Sequence, residues 1–523
     1  MENNMFTSIE IRKKQYYDSV FLMGENQKLG NSDGIIQTAV LMASEKNKSI
    51  LLDLGITYSK IEDAGPNDLI IAIIGESEQA VSDALGKVDS ILQGLEAKKT
   101  EARFHTIQEG LGQLPDANLA VFSIPGEYVP HEARKALEAG LNLFIFSSNV
   151  SLDDELQLKQ KAEEKGLIVM GPDCGTSLIG GIGIGFANVV RQGEIGVIGA
   201  SGTGLQEFTS QIHNAGYGIS HAIGTGSNDV KDMIGGITTF SALEVLEKDP
   251  NTKVIAFVSK PLGEQLAEGL VSRIAACKKP IVCCFLGLDS PLQLPKKSDR
   301  VVRIIDEAVK ASIDLLEPGS KSGNLTLTPK ELAWCEEERG LWSPEQRYLR
   351  GVFAGGTFTY QSQQVLKDAG IRVYSNAPLS HHMTLADPDV SQYHTIVDMG
   401  DEFYTLGRPH PMISGALRNE RIEQEAKDPQ MAILFLDFIL GYNASEDPVG
   451  ELLDSIILAQ RKAESYGGHL TVVASMCGTD QDPQDFAMQK ALLDQQDVFI
   501  FNSNARAAFF CANLLKSEKV LEK

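Results

Sequence analysis

Short apolar runs alternate with amphipathic stretches along most of the chain. From Leu119 onward the runs LAVFSI, LNLFIFS and LIVMG are separated by the more polar stretches HEARKALEAG and DDELQLKQKAEEKG. Strands that are apolar on both faces, joined by helices that end in glycine, are typical of a parallel sheet with helical crossovers. Gly140 and Gly166 supply such helix ends. The pattern therefore predicts an α/β protein.

The first 118 residues follow this pattern less clearly. Residues 69–75, LIIAIIG, are predicted to form a strand, because they make a short continuous apolar run. Residues 77–103 are polar with spaced apolar positions, which predicts a solvated helix. We therefore expect the α/β style to continue into this region.

The second half of the chain contains an internal repeat. The segment IGASGT at 198–203 aligns with VFAGGT at 352–357, each between an apolar strand and a helix-like stretch. Farther on, EKDPNTKVIAFVSKPLG at 247–263 resembles AKDPQMAILFLDFILG at 426–441. A repeat that matches at the turn, in the middle and at the closing strand predicts two copies of one flavodoxin-like α/β domain.

These patterns divide the chain into five segments. The predicted segments are an N-terminal α/β region at 1–118, the rest of a Rossmann-like domain at 119–190, a first flavodoxin-like domain at 191–318, a linker at 319–345 and a second flavodoxin-like domain at 346–523. The linker is predicted because Gly, Pro and Ser are frequent there before a charged helix.

Composition narrows the function classes. The 523 residues carry a formal net charge of -23, which argues against a nucleic acid or an anionic membrane as the main partner. A small anion can still bind in a local electropositive site. The seven cysteines have no C-x-x-C spacing, and no signal peptide or apolar run of membrane-spanning length is present. We therefore expect a cytoplasmic protein with reduced thiols.

Both repeats join a strand to a helix through small residues. The first elbow comprises Ser201, Gly202 and Thr203, and the second elbow comprises Gly355, Gly356 and Thr357. Such a turn leaves the amides of the first helical turn uncovered, and the helix dipole and nearby hydroxyls favour a bound anion. The alternative is that the glycines only permit a tight turn and the threonines cap the helices. Two elbows in register favour a shared phosphoryl site.

The motifs in and around these elbows resemble those of a known family. MGPDCGT, GVIGASGTG and FVSKP are similar to the α subunit of succinyl-CoA synthetase, and GVFAGGTFTYQSQQVL and GRPHPMI are similar to the ligase domain of its β subunit. Together they resemble the FdrA family over nearly the whole chain. This resemblance implies a Rossmann-like N-terminal CoA-binding-type domain followed by two flavodoxin-like synthetase-type domains with parallel sheets.

The chain departs from the synthetase at positions that carry its chemistry. The synthetase holds the phosphoryl group on a histidine, helped by a glutamate at the end of a central strand. Here residues 288–308 contain no histidine, and Lys260 stands where the glutamate would lie. The Gly-rich loop for CoA is not recognisable within 1–60, and no ATP-grasp portion is recognisable. We therefore do not expect a covalent phosphohistidine step.

Lys260 and a polar cluster after it are the candidate catalytic residues. Lys260 follows a central strand and is predicted to neutralise phosphate or polarise a carbonyl, unless it is a plain surface lysine. His410 lies between two prolines and is predicted to serve site chemistry, while Arg408 suits a bidentate contact with a carboxylate or phosphate. Asp398 and Asp401 either bind substrate or cap turns and pair with the arginine.

The remaining candidates are weaker. Asp173 and Cys174 follow a strand and are expected to border the same cavity, although a small buried cysteine is the alternative. Asp229 either faces the ligand or caps the next helix. Asp437 ends the strand that corresponds to the lysine's strand, so a Lys–Asp pair between the repeats is open, and Arg418 is a minor candidate. No spacing of His, Cys and Asp predicts a metal site.

The resemblance implies a function. FdrA-like chains resemble a subunit of oxamate carbamoyltransferase, which converts oxalurate and phosphate into oxamate and carbamoyl phosphate, and direct transfer fits a phosphate site without a histidine. The alternatives are an acyl-CoA synthetase or CoA-ligase-like enzyme with a separate nucleotide-binding subunit, and a non-catalytic scaffold or sensor. We expect a small anionic substrate, with phosphate or carbamoyl phosphate as ligand and CoA left open. The expected assembly is a hetero-oligomer with the products of neighbouring genes, or a homodimer.

Overall fold

The computed structural model divides into two compact units. One contains Met1–Gln113 with Glu402–His410, and the other contains Leu114–Asp401 with Pro411–Lys523. The structure describes residues 6–516 except for 16, 18–21, 23–25, 27–28, 31, 33, 45–46, 49–50, 53–55, 57–58, 66, 99–103, 261, 288–293, 295, 297–298, 321–325 and 407. Every helix in these ranges is either shorter or more polar than a bilayer-spanning segment requires.

Strands and helices alternate through most of the chain. The strands are β1 Phe6–Arg12, β2 Ile35–Met42, β3 Leu69–Gly75, β4 Leu119–Phe122, β5 Asn142–Ile145, β6 Val169–Met170, β7 Thr176–Ile179, β8 Ile182–Gly185, β9 Gln192–Gly199, β10 Ile219–Gly224, β11 Val254–Ser259, β12 Ile281–Phe285, β13 Arg300–Val302, β14 Tyr348–Phe353, β15 Thr395–Asp398, β16 Met431–Ile439, β17 Thr471–Cys477 and β18 Phe499–Phe501. The helices are α1 Ser59–Glu62, α2 Glu78–Lys98, α3 Ile107–Gln113, α4 Val129–Glu138, α5 Leu152–Glu164, α6 Gly202–Asn214, α7 Ile237–Lys248, α8 Glu264–Ala276, α9 Ile305–Leu316, α10 Pro329–Leu341, α11 Gly356–Asp368, α12 Glu402–Thr405, α13 Ala416–Glu425, α14 Gly450–Ser465, α15 Phe486–Asp494 and α16 Asn504–Leu515.

The N-terminal unit is built on a three-stranded sheet in the order β1-β3-β2. The predicted strand at 69–75 is its central strand, and the predicted helix at 77–103 contains α2. Both neighbours run antiparallel to β3, so this region does not continue the parallel style of the rest of the chain. The run is apolar throughout because both faces are covered, with Ile71 packed in one core cluster and Ile70 in another.

The larger unit begins with a small parallel sheet in the order β4-β5-β6. Its three strands lie in the three apolar runs that the sequence predicts, and α4 and α5 connect them. Gly140 and Gly166 follow these helices with left-handed φ values of 83° and 66°, where residues with a Cβ are strained. The predicted helix ends are therefore confirmed.

The next two sheets share one topology. The first has the order β13-β12-β11-β9-β10-β7-β8, and the second has the order β15-β14-β16-β17-β18. The strands β9 to β13 and β14 to β18 are each parallel in the order 2-1-3-4-5, which is the flavodoxin-like arrangement. The predicted α/β fold with parallel sheets is confirmed. The β7–β8 hairpin, which precedes residue 191, adds two antiparallel strands to the first sheet.

The helix of the predicted linker packs on the second flavodoxin-like sheet. Thr328 and Glu331 form a capping box at the start of α10, which accounts for the helix beginning there. Glu331 also pairs with Arg506 of α16 at 2.6 Å, and Cys335 is buried in the same core as Phe510. The connection is therefore anchored to the domain that follows it.

Buried polar bonds attach the second repeat to the first repeat and to the residues just before it. Asn188 donates to Asp482 at 2.7 Å, and the amide of Asn504 at the start of α16 donates to the Glu207 carboxyl group at 2.9 Å. Glu207 is 1% exposed, and burial raises its pKa to about 8, helped by the nearby negative charge of Asp306. The folded protein therefore keeps Glu207 protonated at neutral pH, whereas the unfolded chain ionises it near 4.5.

This difference predicts a pH-dependent loss of stability. Between about pH 4.5 and pH 8 the folded state binds a proton that the unfolded state has released, so stability falls as pH rises through this window. Glu207→Gln removes the titration. We expect its midpoint of urea unfolding to fall less between pH 5 and pH 8 than that of the wild type or of Glu268→Gln, an exposed control. Parallel pH profiles for all three proteins would contradict the assignment.

Candidate functional site

The two elbows lie at the carboxyl ends of central strands. The first elbow follows β9 and opens α6, and the second elbow follows β14 and opens α11. In each sheet, the second strand of the repeat lies on one side of the strand before the elbow and the third strand lies on its other side. The strand order therefore reverses at the elbow. Open α/β sheets bind their ligands at this position.

The two helix starts converge. The hydroxyl groups of Ser201 and Thr357 are hydrogen-bonded to each other. A Cβ atom placed on Gly204 would lie 3.2 Å from the Thr357 side chain, and one on Gly355 would lie 3.2 Å from the Thr203 side chain. Small residues are needed here because the two helices approach each other so closely.

The first elbow presents unused donors. Ser201 has an extended backbone and does not cap α6 with its side chain. In the described part of the chain, the amides of Gly202 and Thr203 have no hydrogen-bond acceptor. The hydroxyl of Thr176, whose residue is 4% exposed, likewise lacks a partner there and lies 2.9 Å from where a Cβ on Gly202 would stand. These donors lie at a partly exposed helix start, an arrangement that favours a bound anion.

The second elbow is occupied by a carboxylate of the protein itself. Asp437, which is fully buried, accepts hydrogen bonds from the amides of Ala354 at 2.8 Å and Gly355 at 2.9 Å. Arg418 pairs with this carboxylate at 3.1 Å. The expectation that the second elbow presents bare amides is therefore corrected for Gly355, whereas the amides of Gly356 and Thr357 have no acceptor among the described residues. An anion that reached the amides bonded to Asp437 would have to displace this carboxylate against its buried ion pair.

Lys260 lies near Asp398, whereas Asp437 pairs with Arg418. The ammonium group of Lys260 lies 4.9 Å above the ring of Tyr360, and its charge is the main influence that lowers the pKa of Asp398. Burial outweighs this effect and raises the pKa of Asp398 to about 7. The Asp398 carboxylate lies 2.6 Å from the position of a Cβ on Gly356, so it borders the second elbow. The open alternative of a Lys–Asp pair between the repeats is thus replaced by the pair of Asp437 with Arg418.

The polar segment after Asp398 is divided between the two units. Asp401 belongs to the larger unit, whereas Arg408 and His410 belong to the N-terminal unit. Arg408 is exposed and His410 is half-buried, and burial lowers the pKa of His410 to about 4. The imidazole is therefore neutral at pH 7. Catalytic roles for Arg408 and His410 stay predictions.

Asp229 and Cys174 have structural positions: Asp229 caps a helix, and Cys174 is a small buried residue. Asp229 is fully buried, accepts from the amide of Thr239 at 2.9 Å and pairs with Lys159 at 2.7 Å, so it caps the start of α7. Cys174 is 2% exposed, and burial raises the pKa of its thiol to about 12. Asp173 is exposed and accepts from the Ser227 hydroxyl at 2.6 Å, so of these three residues it alone is open to solvent.

Two hydroxyl groups near the site are not predicted from the sequence. Thr176 is the last residue of MGPDCGT, and Ser259 precedes Lys260 at the end of β11. Ser259 is fully buried, and its hydroxyl has no hydrogen-bond partner within the described ranges. Both residues end or begin strands at the edge that carries the elbows. A search for hydroxyls at strand ends next to the elbows would have found Ser259, but Thr176 reaches Gly202 only through tertiary packing.

Three family models match separate parts of the chain. One described as the CoA-ligase domain matches residues 352–512, and one described as the CoA binding domain matches residues 190–287. A third, described as the AllF heavy metal-associated domain, matches residues 5–107.

Residues 5–107 lack the thiolate ligands of a typical heavy-metal site. They contain no cysteine, since the first cysteine of the chain is Cys174. Among the described residues of the whole chain, no group of three His, Cys, Asp or Glu side chains is arranged to hold a metal ion. Soft metals favour thiolate donors, so residues 5–107 lack the ligand type that such a metal binds most strongly.

Curated relatives include a full-length match and several partial ones. The uncharacterized protein YahF of Escherichia coli (strain K12) is 37% identical over 513 residues, which is 98% of this chain and 99% of YahF. The succinate–CoA ligase [ADP-forming] subunit alpha of Methanothermobacter thermautotrophicus is 26% identical over 36% of this chain and 63% of the relative. The ADP-forming sulfoacetate-CoA ligase subunit SauD of Bilophila wadsworthia is 25% identical over 36% of this chain and 65% of the relative.

Solved structures show a weaker likeness. The dinucleotide forming acetyl-coenzyme A synthetase 1 of Ca. Korarchaeum cryptofilum aligns with 76% of this chain and 82% of its own, at 17% identity and a TM-score of 0.28. The ATP citrate lyase of Methanothrix soehngenii aligns with 79% of each chain, at 12% identity and a TM-score of 0.35. These scores are too low to support a comparison of sites.

Proposed function

The chain belongs to the YahF family of succinyl-CoA synthetase-related proteins, and we propose that it is a CoA-ligase-type enzyme subunit that transfers an acyl group between phosphate and the thiol of CoA. The partial relatives described above are CoA ligases. The family models for CoA binding and CoA ligase cover the two flavodoxin-like repeats. The carbamoyl transfer implied by the resemblance has no support in these comparisons, so it becomes the second candidate.

The observation that carries the proposal is the asymmetry of the two elbows. The first elbow offers free amides and the Thr176 hydroxyl, whereas Asp437 already bonds the amides of Ala354 and Gly355. The amides of Gly356 and Thr357 also lack an acceptor among the described residues. However, the second elbow, which faces the first, is bordered by the carboxylate groups of Asp437 and Asp398. Gly202 and Thr203 are therefore the more favourable place for a phosphoryl group. Such a site suits a reaction in which phosphate leaves on one side and a proton is removed on the other.

The chemistry can be written with the residues present. An acyl phosphate places its phosphoryl group on the first elbow, where the positive charge of Lys260 adds to the helix dipole. Asp398 takes the proton from the CoA thiol, since its pKa of about 7 makes it a base at neutral pH. The thiolate attacks the acyl carbon, the bond from that carbon to the phosphate oxygen breaks, and inorganic phosphate leaves. The reverse reaction makes acyl phosphate from the thioester.

This scheme needs no phosphorylated enzyme. Residues 288–308 contain no histidine, so the covalent relay of the synthetase has no equivalent there. The α-type and β-type elbows lie in one chain, so the phosphate site does not need a second subunit to complete it. The relatives are named as subunits, and we propose that a separate nucleotide-binding chain supplies the acyl phosphate from a small carboxylic acid.

Supplying the acyl phosphate directly tests the scheme on the isolated chain. We expect thioester to form from CoA with acetyl phosphate or succinyl phosphate, measured by ultraviolet absorbance of the thioester. Lys260→Ala and Gly202→Ala should lower kcat/KM by about 10- to 100-fold, because one removes a charge and the other fills the anion space. Lys248→Ala, on an exposed lysine of the same domain, should keep the wild-type rate.

Two outcomes would contradict this function. One is the absence of thioester with either acyl phosphate while calorimetry detects no binding of CoA. The other is phosphate release from carbamoyl phosphate and oxamate at a rate that depends on Lys260, which would favour the carbamoyltransferase.

The pH dependence tests the role of Asp398. If the ionised carboxylate is the base, kcat rises with pH and has an inflection near 7, as the pKa of about 7 requires. Asp398→Asn should remove this inflection and most of the activity. Lys260→Met should move the inflection to higher pH, because the lysine's charge lowers the pKa of Asp398. An inflection that stays in Asp398→Asn would assign it to another group.

A further inference from the structure

A cavity lies at the edge of the five-stranded sheet opposite the second elbow. It has a volume of about 430 Å³ and is lined by Tyr348, Arg372, Tyr374, Tyr393 and His394. Tyr348 is the first residue of β14, and His394 immediately precedes β15. Because the elbow follows the last residue of β14, this cavity is at the amino ends of the strands and is separate from the site described above.

The walls of this cavity are aromatic. The rings of Tyr348 and Tyr393 are 5.9 Å apart and nearly perpendicular, and those of Tyr374 and Tyr393 are 5.9 Å apart and tilted by 30°. The ring of His394 lies 5.7 Å from that of Tyr348. Tyr393 is 61% exposed, which is a large apolar area to leave in water. In the part of the chain that is described, none of the three phenol hydroxyls has a hydrogen-bond partner.

A buried arginine holds the backbone of Tyr393. Its φ is 49°, a left-handed conformation that a bulky side chain rarely adopts. Its carbonyl accepts a hydrogen bond from Arg350, which is buried and pairs with Glu425 at 2.9 Å and with Asp428 at 2.6 Å. Strained residues held by a rigid surround are frequent at ligand sites. The ring position is therefore set before any ligand arrives.

The rim of the cavity carries unneutralised positive charge. Arg372 is exposed, and no acidic partner for it lies within the described residues. The guanidinium group of Arg347, also exposed, lies 6.0 Å from the ring of Tyr348. Nδ1 of His394 accepts from the amide of Leu349 at 3.2 Å, so the ring proton is on Nε2. In a chain with a net charge of -23, such a patch selects an anion.

We propose that this cavity binds a planar aromatic ring that carries a negative charge, and that a purine mononucleotide is the class of ligand that fits it. The ring stacks on Tyr393 and its neighbours, and the phosphate pairs with Arg372. The volume falls within the range of roughly 300 to 1,000 Å³ that small-ligand sites occupy. Since the cavity lies at the edge of the sheet opposite the elbows, this nucleotide site is separate from the proposed active site.

Calorimetric titration of the full chain with adenosine 5′-monophosphate tests the site. We expect saturable binding of one nucleotide per chain. Tyr393→Ala and Arg372→Ala should each weaken binding at least tenfold, whereas Tyr393→Phe, which keeps the ring, should bind within about twofold of the wild type. The matched controls are Tyr466→Ala and Arg461→Ala, which change exposed residues elsewhere in the same domain and should have no effect.

Separate titrations with adenosine and with inorganic phosphate distinguish the two halves of the ligand. Each should bind at least tenfold more weakly than the nucleotide. The proposal is overturned if the nucleotide gives no saturable heat, if Tyr393→Ala binds as the wild type does, or if phosphate alone binds as tightly as the nucleotide. Circular dichroism confirms that each variant is folded, and if Tyr393→Ala fails to fold, Arg372→Ala decides.

Discussion

The bond between the buried Asp437 carboxylate and the amides of the second elbow determines what the site can do. Asp437 occupies donors that would otherwise bind an anion, and Arg418 holds it there. Removing a buried carboxylate from its cation and amides is costly, so the amides of Ala354 and Gly355 stay occupied. The first elbow lacks such a carboxylate and remains available. Two helix starts of the same topology therefore differ in which of their amides are occupied.

The duplicated fold explains why these two helix starts lie side by side. Both repeats place their elbow after the first strand of a 2-1-3-4-5 sheet, and the contact of Ser201 with Thr357 joins the two starts. The surrounding interface is polar and buried, with Glu207 kept protonated by burial. The segment that contains α10 connects the two repeats within one chain. The proposed anion site and the proposed proton acceptor, Asp398, thereby lie in one chain.

Local patterns predicted much of this structure, and tertiary packing accounts for the rest. The apolar runs, the glycines that end helices and the repeated elbows specify strands and turns directly, so the parallel sheets and the strand at 69–75 follow from the sequence. The antiparallel neighbours of that strand are set by pairing between distant residues. The closure by Asp437 and the approach of Thr176 to Gly202 also join residues far apart in the chain. The carbamoyl chemistry came from family resemblance and not from a local pattern.

A crystal structure of the chain grown with inorganic phosphate tests the central claim most directly. The account predicts one phosphate at the first elbow, within hydrogen-bond distance of the amides of Gly202 and Thr203 and of the Thr176 hydroxyl, with Asp437 still bonded to Ala354 and Gly355. A phosphate bound at Gly355 and Gly356 with Asp437 turned away would contradict it.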